Sequence, residues 1–157
     1  MLDKLEAQSG WGDKPAGRAR GVAIFESFGT VVGQVVEVSV SDTADIQVHK
    51  VSCVVDCGLA INPDIVKAQM EGGIMFGLTA ALYGEINIDG GRVRQSNFHD
   101  YRMLTMTSAP AIDVHILPSE EEPSGVGEPA TPVIAPAVAN AIFAATGTRL
   151  RSLPLAL

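Results

Sequence analysis

Aromatic residues, positive charge and cysteine are all scarce in this 157-residue sequence, and each shortage removes a class of function. Eleven Lys and Arg stand against eighteen Asp and Glu, for a net charge of -7. That balance argues against a nucleic-acid partner, which asks for a basic face or stripe. Two cysteines cannot hold an iron–sulfur cluster. Cys53 and Cys57 lie in the strand-like run "VSCVVDCG", where extended chain separates them too far for a disulfide. Buried thiols are expected there. The three histidines form no ligand set. His49 and His115 read as strand residues turned from the apolar face, and His99 in "NFHDY" is expected to face away from Asp100 along a strand.

Long apolar runs are missing too. The best candidate, "GGIMFGLTAALYG", falls short of the roughly 18 residues of a membrane span. The mixed-charge start "MLDKLEAQSGWGDK" does not read as a signal peptide, and the compartment stays open between cytoplasm and periplasm. No serine stands in a nucleophile elbow, and "EGGIMFG" lacks the strand-to-helix setting of a dinucleotide fingerprint.

What is present is a 46% hydrophobic chain, enough for one core and for large buried contacts with other segments. "LDKLEAQ" reads as the end of a short helix, followed by the loop "SGWGDKPAGRARG". "GVAIFESF", "VVGQVVEVSV" and "IQVHKVSCVVD" read as three strands of an antiparallel meander, the third bulged where its alternation slips. A helix follows over 62–84: Asn62 caps it, Pro63 suits its first position, and Asp64 complements its dipole. Gly73, Gly77 and Ala81 recur every four residues and leave one face bare, for another backbone or a flat ligand. "EINIDGGRVRQSN" reads as a hairpin, "AIDVHILP" as a further strand, and a final helix stops near Gly147. The fold class is α+β, a mostly antiparallel (mixed) sheet with two long helices packed on it. It forms one segment over 1–157, with a helix end and loop at 1–20 and the core at 21–157.

The acidic run Glu120–Glu122 reads as a solvated loop, but Glu128 differs. It sits in "GVGEPATPVIAPAVANAIFAATGTRLRSLP", between Gly127 and Pro129 at the mouth of an apolar helix. Partial burial and helix-start amides act on such a carboxylate in opposite senses. The product is an ionised, weakly solvated group, usable as a general base. A surface acid is the other reading of the same residues.

That stretch resembles the C-terminal signature of the molybdenum-binding large subunits of the xanthine dehydrogenase and aldehyde oxidase family. "VVDCGLAINPDIVKAQMEGGIMFGLTAALYGE" is similar to the family's second hallmark, an Asp-x-Gly, Asn-Pro, Gln-x-Glu-Gly series. With "GRARGVAIFESFGTVVGQVVEVSV" and "QSNFHDYRML", the resemblance runs to the branch that holds the beta subunits of isoquinoline 1-oxidoreductase, and covers essentially the whole chain. It implies hydroxylation of an aldehyde or N-heteroaromatic carbon with water-derived oxygen, and a general-base role for Glu128. It also implies contact of Gln69, Gly72, Gly73 and Gly127 with a molybdopterin-type cofactor, in the cytosine dinucleotide form. Molybdenum is held there by the pterin's dithiolene sulfurs, so no side-chain ligand is expected.

Catalytic subunits of that family are several times longer. The resemblance therefore implies further partners: the remainder of the large subunit, an iron–sulfur small subunit and a small-molecule substrate. Three readings stay open: the base-bearing part of a molybdenum hydroxylase, a non-catalytic binding or assembly module, and a truncated remnant.

Overall fold

The computed structural model describes residues 1–13 and 15–157. An N-terminal helix α1 (Leu2–Ser9) leads into three long strands, β1 (Ala19–Ser27), β2 (Thr30–Val40) and β3 (Ile46–Asp56). Helix α2 (Pro63–Tyr83) follows, then the two-residue strands β4 (Ile88–Asp89) and β5 (Arg92–Val93), strand β6 (Ala111–Ile116) and helix α3 (Thr131–Thr146). The main sheet has the order β1-β2-β3-β6. β1, β2 and β3 form the expected antiparallel meander, and β6 adds parallel to β3 because the α2 crossover returns the chain to the same end. β4 and β5 make a separate hairpin, turned by Gly90 and Gly91 at φ 55° and 78°.

Valine dominates β2 and β3 because both faces of the sheet are covered there. Val32, Val36, Val51 and Val55 face α2 and α3, whose Ile74, Leu78, Ile134 and Ile142 are fully buried. Burying each of those four side chains contributes about 1.5–3 kcal/mol. On the opposite face α1 sets Leu5 against Val35 and Val54. The slip in β3 is a bulge: Glu37 pairs with Lys50 but Val38 pairs with Val48, leaving His49 extra. His49 accordingly turns its ring to Ser39, with Nε2 2.7 Å from the hydroxyl.

Glycine fixes two of the packing distances. A Cβ at Gly21 would lie 2.2 Å from the Ala137 carbonyl oxygen, so α3 rests directly on the β1 backbone. One at Gly77 would lie 2.6 Å from the Thr131 carbonyl oxygen, where α2 meets α3. The bare face of α2 is therefore taken, at Gly77, by another helix.

Asn62 caps α2 as its sequence position predicts, its Oδ1 accepting from the Ile65 N–H at 3.2 Å. Gly147 ends α3 at φ 76°. Both cysteines are buried free thiols, and burial pushes Cys53 up to about 12. "NFHDY" departs from the expected strand. Asp100 accepts backbone N–H bonds from Asn97 and Ser96, both at 2.9 Å, closing a turn that brings His99 Nε2 to 3.6 Å from its carboxylate. Those backbone donors hold Asp100 down at about 2. Among the described residues no helix is long and apolar enough to cross a membrane.

Candidate functional site

One open cavity of about 570 Å³ gathers what the sequence scattered over a hundred positions. Gln69, Gly72 and Gly73 reach it from α2, Gly127 and Glu128 from the segment before α3, Phe25 and Ser27 from the end of β1, and Phe28 from the turn to β2. All five residues singled out from the sequence line it together.

A chain of hydrogen bonds brings the Glu128 segment there. The Leu59 N–H donates to the Glu121 carbonyl, the Ser124 N–H to Cys57 and the Gly125 N–H to Phe28, at 2.9, 2.9 and 3.1 Å. The Ser124 and Thr30 hydroxyls lie 2.6 Å apart. Beneath the loop, Gln34 Nε2 donates to the Ala130 carbonyl at 2.8 Å from inside the sheet. The Thr131 N–H donates to the Glu128 carbonyl at 2.9 Å, and its hydroxyl donates to the Gly73 carbonyl at 3.3 Å. Glu128 is thus fixed through its backbone, three residues before α3, while its carboxylate has no hydrogen-bond or ion-pair partner among the described residues.

Partial burial of Glu128 does not hold in this chain: the residue is exposed at the cavity's rim. The physical reason is that, among the described residues, no element stands over it, as the open cavity records. Gln69 and Gly72 are exposed on the same wall.

The glycines divide. A Cβ built on Gly72 or Gly127 meets nothing within 4 Å, so both leave cavity space open. One on Gly73 would stand 3.2 Å from Ala130 Cβ and from Thr131 Oγ1, so Gly73 also serves the contact between α2 and α3.

Sequence reasoning missed the rim and the floor. Phe25, Phe28 and Phe76 are 52%, 64% and 72% exposed around the cavity, three of the chain's five phenylalanines. Phe28 holds φ 57°, a conformation costly for a bulky residue and most often tolerated where function asks for it. Its signal was the "FESFGT" turn, where an aromatic occupies a position suited to Asn or Gly. Gln34 was visible as the lone amide in "VVGQVV". Its Oε1, and the Ser27 hydroxyl on the cavity wall, are buried without a hydrogen-bond partner among the described residues.

Residues 4–110 match the family described as "Molybdopterin cofactor-binding domain", more than half of the chain. The chain belongs to that family. Gln69, Gly72 and Gly73 fall inside the matched range, and Gly127 and Glu128 lie beyond it. The beta subunit of isoquinoline 1-oxidoreductase from Brevundimonas diminuta is 41% identical over 144 residues, covering 91% of this chain and 18% of its own length. A nicotinate dehydrogenase subunit of Pseudomonas putida is 36% identical over 134 residues, 83% of this chain and 11% of that one. Among solved structures, quinoline 2-oxidoreductase from Pseudomonas putida 86 aligns with a TM-score of 0.74 and 27% identity, over 80% of this chain and 17% of that chain. The aldehyde oxidoreductase of Desulfovibrio desulfuricans gives 0.67 and 28%, over 80% and 14%.

The chain therefore forms part of a molybdopterin-binding domain of the xanthine dehydrogenase and aldehyde oxidoreductase family, and spans under a fifth of the relatives it matches. Its cavity fits a flat pterin. Two glycines leave the wall open to close approach, one carboxamide offers both donor and acceptor, and the Ser27 hydroxyl has no hydrogen-bond partner among the described residues. Among the described residues no three His, Cys, Asp or Glu side chains gather in a group that could hold a metal ion.

Proposed function

We propose that this chain is the base-bearing part of a molybdenum hydroxylase acting on an aldehyde or N-heteroaromatic carbon, with Glu128 as general base. When bound, the cofactor supplies the redox centre that takes up the electrons lost by that carbon. Glu128 accepts, on its carboxylate, the proton of the water-derived oxygen that attacks the substrate. Gln69 hydrogen-bonds the pterin, while Gly72, Gly73 and Gly127 let it lie close to backbone. Gln34 and Thr131 hold the segment that carries Glu128 and so set where the carboxylate stands.

The carrying observation is the convergence of Gln69, Gly72, Gly73, Gly127 and Glu128 on one cavity, in a chain of this family. The remainder of the large subunit closes the cavity and excludes water around Glu128, which the open rim calls for. The cytosine dinucleotide form of the cofactor, and iron–sulfur centres on a separate small subunit, belong to the same reading. The likeness to a protein named as one subunit of an oxidoreductase supports it.

In the assembled enzyme, Glu128→Gln is expected to lower turnover by about 10²–10⁴-fold with molybdenum content unchanged by metal analysis. Near-normal turnover, or loss of molybdenum, would remove the general-base assignment. Gln69→Ala is expected to lower molybdenum content while turnover per bound molybdenum holds.

A further inference from the structure

The two edges of the main sheet are finished differently. β1 lies under α3, which rests on its backbone at Gly21, whereas among the described residues no strand bounds β6 on its outer side. The Leu117 N–H donates to the Val55 carbonyl at 2.8 Å, so residues of that parity turn their backbone groups toward β3. Ile112, Val114 and Ile116 then direct theirs outward. Among the described residues these outward groups find no hydrogen-bond partner. A six-residue edge without an internal proline is a template for strand addition.

Two grooves run along this edge. One, of about 470 Å³, lies toward α2 and is mostly apolar, with Leu59, Pro63 and Ile116 in its wall. The other, of about 270 Å³, lies toward α1 and is polar, lined by Lys4, Gln8, Asp113 and His115.

We propose that β6 pairs antiparallel with β6 of a second copy of this chain, about a two-fold axis through Val114. The outward backbone groups of Ile112, Val114 and Ile116 then form roughly six hydrogen bonds. In this register Ile112 of each copy stands opposite Ile116 of the other, along the apolar groove. Asp113 of each stands opposite the other's His115 and enters the polar groove that holds Lys4. The neighbouring registers are disfavoured. A two-fold axis at residue 113 sets Asp113 against Asp113, and one at 115 sets His115 against His115. The sequence "IDVHI" is thus self-complementary in one antiparallel register, which sets a carboxylate opposite an imidazole N–H donor on each side of the axis. The cavity holding Glu128 lies off this interface and stays open.

The test uses the chain alone at near-physiological salt, where repulsion between two copies of net charge -7 is screened. Analytical ultracentrifugation from micromolar to millimolar concentration is expected to show a monomer–dimer equilibrium. Val114→Pro removes an N–H that the monomer does not use, and is expected to weaken the dimer about tenfold or more with an unchanged circular dichroism spectrum. Val114→Cys places two thiols across the axis, where a Cα separation near 5.5 Å suits a disulfide. It is expected to cross-link under mild oxidant, whereas Ile112→Cys alone does not. Asp113→His weakens association, and adding His115→Asp restores it. A monomer at every concentration overturns the proposal. So does a dimer indifferent to Val114→Pro and to the Asp113–His115 exchange.

Discussion

Glu37 is 7% exposed within the valine-rich β2, and its side chain meets two guanidinium groups. Arg18 Nη1 lies 2.5 Å from one carboxylate oxygen, and Arg20 reaches the other at 2.9 Å. Arg20 also donates to the carbonyls of Gly10 and Asp13, tying the end of α1 to the sheet. Burial pushes the Glu37 carboxyl up, but the hydrogen bonds and charges of Arg18 and Arg20 together hold it below the ordinary carboxylate range. A folded-state value below the unfolded one stabilises the fold at pH values above the unfolded carboxylate's, near 4.3. That stabilisation is lost as pH falls through the lowered folded value. Glu37→Gln is therefore expected to cost about 1.5–3 kcal/mol at pH 7, read by urea unfolding. The gap to the wild type should close below about pH 4. A gap of constant size across that range would mean that packing, not charge, is what Glu37 contributes. Taking the difference between the two proteins removes the parallel contribution of Asp100, whose carboxyl is also held low.

At the scale of an element, α2 carries two glycines five residues apart that do opposite things. A Cβ on Gly77 would press on the Thr131 carbonyl oxygen at 2.6 Å and Ile134 Cγ2 at 2.7 Å, so Gly77→Ala must push α3 away. The helix-propensity gain of about 1 kcal/mol is expected to be outweighed, for a net loss of about 1–2 kcal/mol. Gly72→Ala meets nothing and should instead stabilise the chain by about 0.5–1 kcal/mol, while reducing the molybdenum that the assembled enzyme retains. Equal stability effects at the two positions would show that α2 and α3 are not in close contact. The every-four spacing in α2 made a close approach legible but not its object, because a bare helix face admits a backbone and a ligand alike. Caps at Asn62 and Gly147 were legible because their chemistry is local. The parallel direction of β6 was not, since alternation reads the same either way along a strand. Neither was the seat of α1 on Gly33, a contact that joins residues distant in sequence. The site residues came out of motif resemblance, while the Phe28 turn and the Gln34 tether needed the three-dimensional arrangement.

Taken whole, the molecule pairs a complete two-sided core with a surface that does not look finished. Phe28, Ile61, Phe76, Phe98 and Met106 are between 64% and 94% exposed. Isolated apolar residues are common on protein surfaces, but three exposed phenylalanines around one cavity form a patch that asks for cover. On the proposed function the remainder of a large subunit is that cover; the chain spans 18% of the isoquinoline 1-oxidoreductase subunit it resembles. Methionine oxidation separates core from contact surface, because sulfoxide formation follows access to the sulfur. In the chain alone, dilute peroxide should oxidise Met106, 94% exposed, about as fast as a free methionine, whereas Met70, at 0%, reacts only on unfolding. Joined to the rest of a large subunit, Met106 should slow by about tenfold or more if the segment between β5 and β6 is a contact surface. Met70 should not change, which makes it the internal control. An equal Met106 rate in both states would leave that segment a solvent-facing loop. The cover over the cavity would then have to come from the side of Phe28 and Phe76 alone.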